Sequence, residues 1–297
     1  MAKILVIGSV NVDFIGIGNE ALKLHDSNIG HFDMHVGGVG KNIAENLYRL
    51  QSDVSFLTFI GNDYLADFVC NYLNRLGIDY QKSIHMNQHS GTYLAIHEPD
   101  GSLTIGINDL QSLEAIEPAI VASQSDYIDE FDTIVMEANL PIPVLDELFS
   151  RYHNKTIIVD GVSQTKVIRF KKYLSQINIL KVNRSELTTL LGHQVDDVIT
   201  GVKEIIGNGL KQVVVTEGKG PITFNIDNAI FQTSVITPKH YVSSVGCGDA
   251  LLSGVIYGIT TGVSMFQAIE YGKQIAALTM EVKSPCYQLL TNALLNH

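Results

Sequence analysis

Two kinds of apolar stretch alternate along this chain. Short continuous runs rich in Ile, Val and Leu occupy residues 3–10, 54–60, 133–136, 156–159, 179–182 and 212–216. Their length and lack of alternation predict strands buried on both faces. Between them, apolar residues recur three and four apart. That spacing predicts helices at 43–50, 64–76, 143–152, 185–191, 195–207, 249–261 and 264–282. The strand at 54–60 ends in Gly61-Asn62-Asp63, and Gly77 stops the helix that follows. Strands alternating with helices imply a parallel sheet with right-handed crossovers and a ligand site along the strand carboxyl ends. Polar residues recur at those ends: Asn11, Asp13, Asn139, Asp160, Asn183, Glu186 and Glu217.

Three stretches leave the repeat. Residues 14–36 hold two short strand patterns around the polar bend Asp26-Ser27-Asn28-Ile29-Gly30, with no helix between them. Residues 82–108 contain two alternating runs joined by Glu98-Pro99-Asp100-Gly101, which is turn chemistry for a hairpin. These two excursions predict a small second sheet able to cover a site. Residues 222–236 read as an antiparallel pair turning at Asp227-Asn228.

A chain of 297 residues with 45% hydrophobic content is long and apolar enough for a substantial α/β core. The net charge of −11 argues against nonspecific binding to nucleic acid or anionic membranes. It leaves room for a phosphorylated small molecule, which a few local dipoles can hold. Cys70, Cys247 and Cys286 are scattered and odd in number, which fits a reduced, cytoplasmic compartment. The first apolar run is too short for a signal peptide, and none approaches the ~18 residues of a membrane span.

Candidate chemistry gathers in two glycine-rich loops, each opening a helix. The later one, Ser243-Ser244-Val245-Gly246-Cys247-Gly248-Asp249, can turn successive N–H groups into one concavity at a helix start. A phosphate suits such a site. Asp249 reads either as an acid placed for the helix dipole or as a general base beside a phosphate cradle. The earlier loop, Gly37-Gly38-Val39-Gly40-Lys41-Asn42, reads either as a close approach to a ligand or as tight strand–helix packing. Asp13 reads as a turn residue or a ligand contact. No GxxxxGK[ST] loop, no GxGxxG after the first strand and no GxSxG elbow is present. Ser163-Gln164-Thr165-Lys166 matches SxxK without the partner motifs of that chemistry. His31 and His35 lack the frame of a metal pair.

The two loops in this order, on an open α/β chain with a small extra sheet, resemble the PfkB (ribokinase-like) family of carbohydrate and nucleoside kinases. The likeness covers essentially the whole chain. Residues 37–44 are similar to the first family signature, and residues 244–250 to the second, usually written DTxGAGD. Lys181-Val182-Asn183-Arg184-Ser185-Glu186 resembles the KPNxxE segment. Residues 25–30 and 37–47 are most similar to the DSNPG…GGVGRNIAxNL pattern of pseudouridine-phosphorylating members, and Ile107-Asn108-Asp109 to their IND segment. Ribokinases usually carry GGKGANQA instead.

The resemblance implies a single ribokinase-like unit over residues 1–297: an open, mostly parallel α/β sheet flanked by helices, with a β lid from about 14–36 and 82–108. It implies phosphoryl transfer from ATP, with Mg2+, to the 5′-hydroxyl of pseudouridine. Ribokinase or another nucleoside or sugar kinase is the in-family alternative, and a noncatalytic nucleoside or sugar sensor the alternative of another class. Asp249 would take the hydroxyl proton. The N–H groups of Gly246, Cys247 and Gly248 would form the anion hole. Cys247 replaces the family's alanine and would make the site sensitive to alkylation. Asn11, Asp13, Gly38 and Asn42 would bind ribose hydroxyls, and Val39 and Lys41 would also line the substrate. Ser27, Asn28, Asn108 and Asn139 would read the base. Asn183, Thr216, Gly218 and Gly220 would line ATP, and Glu186 would serve the metal. Ser243 stands where many members carry Asp in a loop associated with monovalent cations, which leaves K+ activation open. Exposed lid strands would pair in a homodimer.

Overall fold

Ile4 and Val6 pack into one apolar cluster while Leu5 and Ile7 pack into another. That split along one strand defines the architecture: a sheet buried on both faces. The computed structural model describes residues 2–295; Met1, Asn296 and His297 of the expected 1–297 unit lie outside the described residues. The chain runs through β1 (Ile4–Ile7), β2 (Asn11–Gly18), β3 (Gly30–Gly37), α1 (Val39–Arg49), β4 (Val54–Leu57), β5 (Phe59–Ile60) and α2 (Tyr64–Leu76). Next come β6 (Ile84–His85), β7 (Gly91–His97), β8 (Leu103–Asp109) and the short helices α3 (Gln111–Glu114), α4 (Pro118–Ala122) and α5 (Ser125–Ile128). Then follow β9 (Thr133–Glu137), α6 (Ile142–Arg151), β10 (Thr156–Asp160), α7 (Gln164–Val167), a 3-10 helix at Ile168–Gln176, and β11 (Ile179–Asn183). The last part holds α8 (Arg184–Leu191), α9 (Val198–Gly207), β12 (Gln212–Thr216), β13 (Ile222–Ile226), β14 (Ala229–Thr233), α10 (Cys247–Thr260), α11 (Met265–Thr279) and a 3-10 turn at Asn292–Leu295.

The main sheet has the order β14-β13-β12-β11-β10-β9-β1-β4. It is parallel from β12 to β4, with β13 and β14 added antiparallel at one edge. Residues from α1, α2, α10 and α11 cover one face; residues from α6, α8 and α9 cover the other. The fold is therefore the expected open, mostly parallel α/β sheet flanked by helices. No helix among the described residues is long and apolar enough to cross a membrane.

A second sheet of order β3-β2-β7-β8 stands apart. Its limits correct the expected ones. The first apolar run predicts one strand over residues 3–10, but β1 stops at Ile7. The Ser9 N–H leaves the ladder to donate to Glu137 Oε1 at 2.7 Å, and Asn11 opens a strand of the other sheet. The first excursion therefore starts at residue 11 rather than 14. The second starts at Gly91 rather than 82, because Ile84–His85 pairs with β5. Helix α1 starts at Val39, four residues before the expected 43, because Gly38 takes a left-handed φ of 104° and caps it. Helix α9 starts at Val198, where the Asp197 carboxylate caps Ile199 and Thr200, and α11 ends at Thr279.

Candidate active site

Helices α1 and α10 begin at the same place. Each follows a glycine-rich loop, and each presents a polar side chain from its first turn. Asn42 Nδ2 donates to Asp249 Oδ2 at 2.7 Å across 207 residues of sequence. Two helix N-termini thus meet over one point, where their dipoles favour negative charge.

Gly246 caps α10 with φ +79°, a left-handed conformation that glycine adopts without strain. A Cβ there would also run into the carbonyl of Pro285. The Cys247 N–H donates to Ser244 O at 3.3 Å, while those of Gly246 and Gly248 meet no acceptor among the described residues. Beneath them lies Lys181. A Cβ at Gly248 would come within 2.5 Å of its Nζ, so only glycine lets the buried ammonium approach this closely. Lys181 pairs with Asp160 at 3.1 Å.

Asp249 is buried, and burial pushes its pKa up to about 7. The Asp160 charge adds to that rise; Lys181, the Asn42 hydrogen bond and Lys41 oppose it. A carboxyl poised near neutrality can accept a proton under ordinary conditions. The Cys247 thiol takes the opposite direction from the reactivity expected of it. Burial first, and Asp249 second, push it up to about 12, which disfavours the thiolate that alkylation needs.

Asn11 and Asp13 sit at the start of β2, where the chain leaves the main sheet. Asn11 Nδ2 donates to Asp13 Oδ1. Burial raises Asp13 to about 6, against the pull of Lys41 and Asn11. Gly38 folds close against Ser9 and Asn11, and Val39 begins α1. Lys41 departs from its expected role. Its ammonium is fully buried and bonds to Glu45 Oε2 at 3.0 Å, one helical turn on. Because α1 starts at Val39, Lys41 belongs to the helix and points behind the loop rather than into the site.

The expected base-reading residues are spread out. Asn139, at the end of β9, is buried beside the first group: its Nδ2 donates to Ser9 Oγ at 3.2 Å, and its Oδ1 accepts from Lys166. Ser27 and Asn28 lie in the exposed turn between β2 and β3. There Asn28 bonds Lys23 N at 2.8 Å and stabilises its own turn. Asn108 is exposed on β8 and is the register partner of Tyr93. None of these three side chains hydrogen-bonds to the Asn42–Asp249 pair.

On the other side, Thr216 ends β12 directly opposite Asn183 of β11. Gly218 (φ 63°) and Gly220 follow in a turn closed by Gly220 N to Glu217 O at 2.9 Å, with open space around Gly218. Asn183 and Glu186 form a capping box. Asn183 N donates to Glu186 Oε2 at 2.9 Å, Asn183 Nδ2 to Oε1 at 2.7 Å, and Glu186 N to Asn183 Oδ1 at 2.9 Å. Among the described residues no cluster of three or more acidic, His or Cys side chains could hold a metal by itself. A magnesium ion needs few protein ligands, because phosphates and water supply most of its shell. Glu186 fits such a site through water: its buried carboxyl, raised by burial and pulled back by Lys181, keeps lone pairs beyond those its cap uses.

Several residues of the site escaped sequence reasoning. Glu137 is buried, with Ser9 N and Asn139 N each 2.7 Å from its carboxylate oxygens. The Lys181–Asp160 pair carries no signal in spacing. Asp160 at a strand end and Lys181 inside β11 each stand out in the sequence, but their pairing does not.

A helix-flanked α/β sheet, a small accessory sheet, and a glycine-capped helix start holding a near-neutral carboxyl define a ribokinase-like kinase. The profile described as pfkB family carbohydrate kinase matches residues 1–292, and the chain belongs to that family. Members transfer a phosphoryl group to sugar or nucleoside hydroxyls, which implies the use of ATP. The chain is 26% identical to the pseudouridine kinase of Escherichia coli (strain K12), over 93% of this chain and 90% of that one. It is 28% identical to the guanosine-inosine kinase of Exiguobacterium acetylicum, over 93% and 94%. The structure of Arabidopsis thaliana ribokinase complexed with ribose and ATP shares the fold, with TM-score 0.86 and 19% identity over 100% of this chain and 99% of that one.

Proposed function

We propose that the protein phosphorylates the 5′-hydroxyl of pseudouridine at the expense of ATP, in the cytoplasm. The observation that carries the kinase chemistry is the Asn42–Asp249 hydrogen bond, which places a near-neutral carboxyl beside a glycine-built cradle. Asp249 accepts the proton of the acceptor hydroxyl. The new bond forms between that oxygen and the γ-phosphorus, the bond to the bridging oxygen breaks, and ADP leaves. The Gly246 and Gly248 N–H groups and the α10 dipole hold the charge of the moving group, work that is mostly positioning and charge stabilisation. Asn11 and Asp13 accept and donate at the ribose hydroxyls, with Gly38 permitting close approach. Thr216, Gly218, Gly220 and Asn183 line the nucleotide. Mg2+, held through water at Glu186, would neutralise phosphate charge.

Pseudouridine is favoured over other acceptors by residues 25–30 and 37–47 and by the likeness to the E. coli enzyme. Following ADP release with pseudouridine, uridine, inosine, guanosine and ribose tests the choice. Pseudouridine should give the highest kcat/KM; faster turnover of ribose or inosine would overturn it.

The β3-β2-β7-β8 sheet serves as a lid that excludes water during transfer. Strand β8 exposes Leu103, Ile105 and Ile107 at an unpaired edge, and β3 exposes Phe32. A hydrophobic edge of this kind calls for cover, and a second copy of the chain supplies it. Sedimentation should show a dimer that Ile107→Lys converts to monomer; a monomeric wild-type chain would sink this assembly.

A further inference from the structure

Gly248 has no conformational reason to be glycine. Gly246 takes a left-handed φ, but Gly248, the second residue of α10, does not. What its missing Cβ leaves room for is the Lys181 ammonium, 2.5 Å from where that atom would stand. A lysine within a buried strand needs a reason too, because taking an ammonium out of water is costly. Lys181 is 8% exposed and Asp160 1%. Asp160 Oδ1 accepts from Val162 N at 2.7 Å, and Oδ2 faces the ammonium at 3.1 Å.

Asp160 fixes the lysine without exhausting it. An ammonium carries three N–H donors. Among the described residues, the Asp160 carboxylate is the one acceptor that Lys181 reaches. Burial works against its charge, but Asp160, Glu186 and Asp249, in that order, outweigh burial and keep the amine protonated. Spare donors on a buried cation, seated against the backbone of a cradle for negative charge, point to an anionic ligand.

We propose that Lys181 is the fixed cation of the cradle: the ammonium that Asp160 holds against Gly248 answers the negative charge of the phosphoryl group while it passes from ADP to the acceptor oxygen. Lys181 gives up no proton in this step; Asp249 takes the one that the hydroxyl loses. The role rests on the kinase reading above, but not on which acceptor is phosphorylated.

The test is the cycle of Lys181→Met, Asp160→Asn and the double variant. Each is read by Tm, by kcat with pseudouridine, and by the Kd of ADP with Mg2+ and aluminium fluoride, which mimics the phosphoryl group in flight. Rates are taken on the high-pH plateau, where Asp249 is ionised in every variant. Lys181→Met should lower kcat about 10²-fold and weaken the aluminium fluoride complex by a similar factor, with the Kd of ATP changed by less than about 3-fold. Its Tm should fall by about 5 °C or more, because Asp160 is left buried without its cation. Asp160→Asn should lose far less rate, because the cation stays. The double variant should recover most of the Tm and none of the rate. Gly248→Ala, which favours the helix but pushes the ammonium off its seat, should lose about 10-fold in kcat with Tm unchanged or raised. A merely structural ion pair would recover rate together with stability in the double variant. That recovery, or equal weakening of ATP and of the aluminium fluoride complex by Lys181→Met, overturns the proposal. Should Lys181→Met not fold, the double variant and Gly248→Ala decide. If another nucleoside or sugar is the acceptor, it replaces pseudouridine and the comparison stands. A wild-type chain that phosphorylates none of them overturns the kinase reading and this role with it.

Discussion

Asp249→Asn lowers kcat by about 10²–10⁴-fold and leaves acceptor binding nearly intact, the loss expected when a general base is removed from a transfer reaction. The amide keeps the shape of the side chain and a partner for Asn42, so the cradle geometry survives. What disappears is the group that takes the hydroxyl proton. The wild-type pH profile carries the same signature. Asp249 must be deprotonated to act, and its pKa is raised to about 7. The rate therefore falls as pH drops through about 7 and levels off above it, whereas an unshifted aspartate would keep the enzyme active down to about pH 4. Steady-state kinetics from pH 5 to 9 read both. Near-normal turnover by Asp249→Asn would refute the assignment.

Gly246→Ala is the second large effect, because it strikes fold and chemistry together. The residue sits at φ +79°, and the added Cβ meets the carbonyl of Pro285. The backbone conformation alone costs about 1–2 kcal/mol for a residue with a side chain. The clash adds to that, because its other party is backbone and cannot rotate away. We expect Tm to fall by about 4 °C or more. We expect kcat to fall by about 10²-fold as a cradle N–H moves out of line. Calorimetry and kinetics on one sample check the pair. A variant with wild-type Tm and rate would show that the cradle does not need this backbone shape.

The sheet was legible because most of its parallel strands are nearly continuous apolar runs, a signal that survives without tertiary knowledge. Both glycine loops were legible for a related reason: few roles need several glycines before a helix. Residues 111–128 were not read as helices, since elements of four or five residues are too short to show a period. Lys41 was misplaced by phase. A helix thought to begin at 43 leaves residue 41 in a ligand loop, whereas one beginning at Val39 carries it to Glu45 four residues on. Asn183 and Glu186 were legible as polar residues at a strand end, while the capping box that joins them is a finding of the structure. The Ser9–Glu137 and Asp160–Lys181 contacts were not, because pairings between separate strands leave no mark in local spacing.

The segment around residues 280–288 reaches back across nearly the whole chain. The Met280 carbonyl accepts from Val242 N and Ser243 N, Pro285 closes on Gly246, and Cys286 packs its thiol 3.7 Å from Asn42 O. Arg49 bonds the Gln288 carbonyl. During synthesis every strand of the main sheet is made before this segment exists. The site is thus clamped from two distant parts of the chain, and it exists only when residues 39–49 and 242–288 are held in one fold.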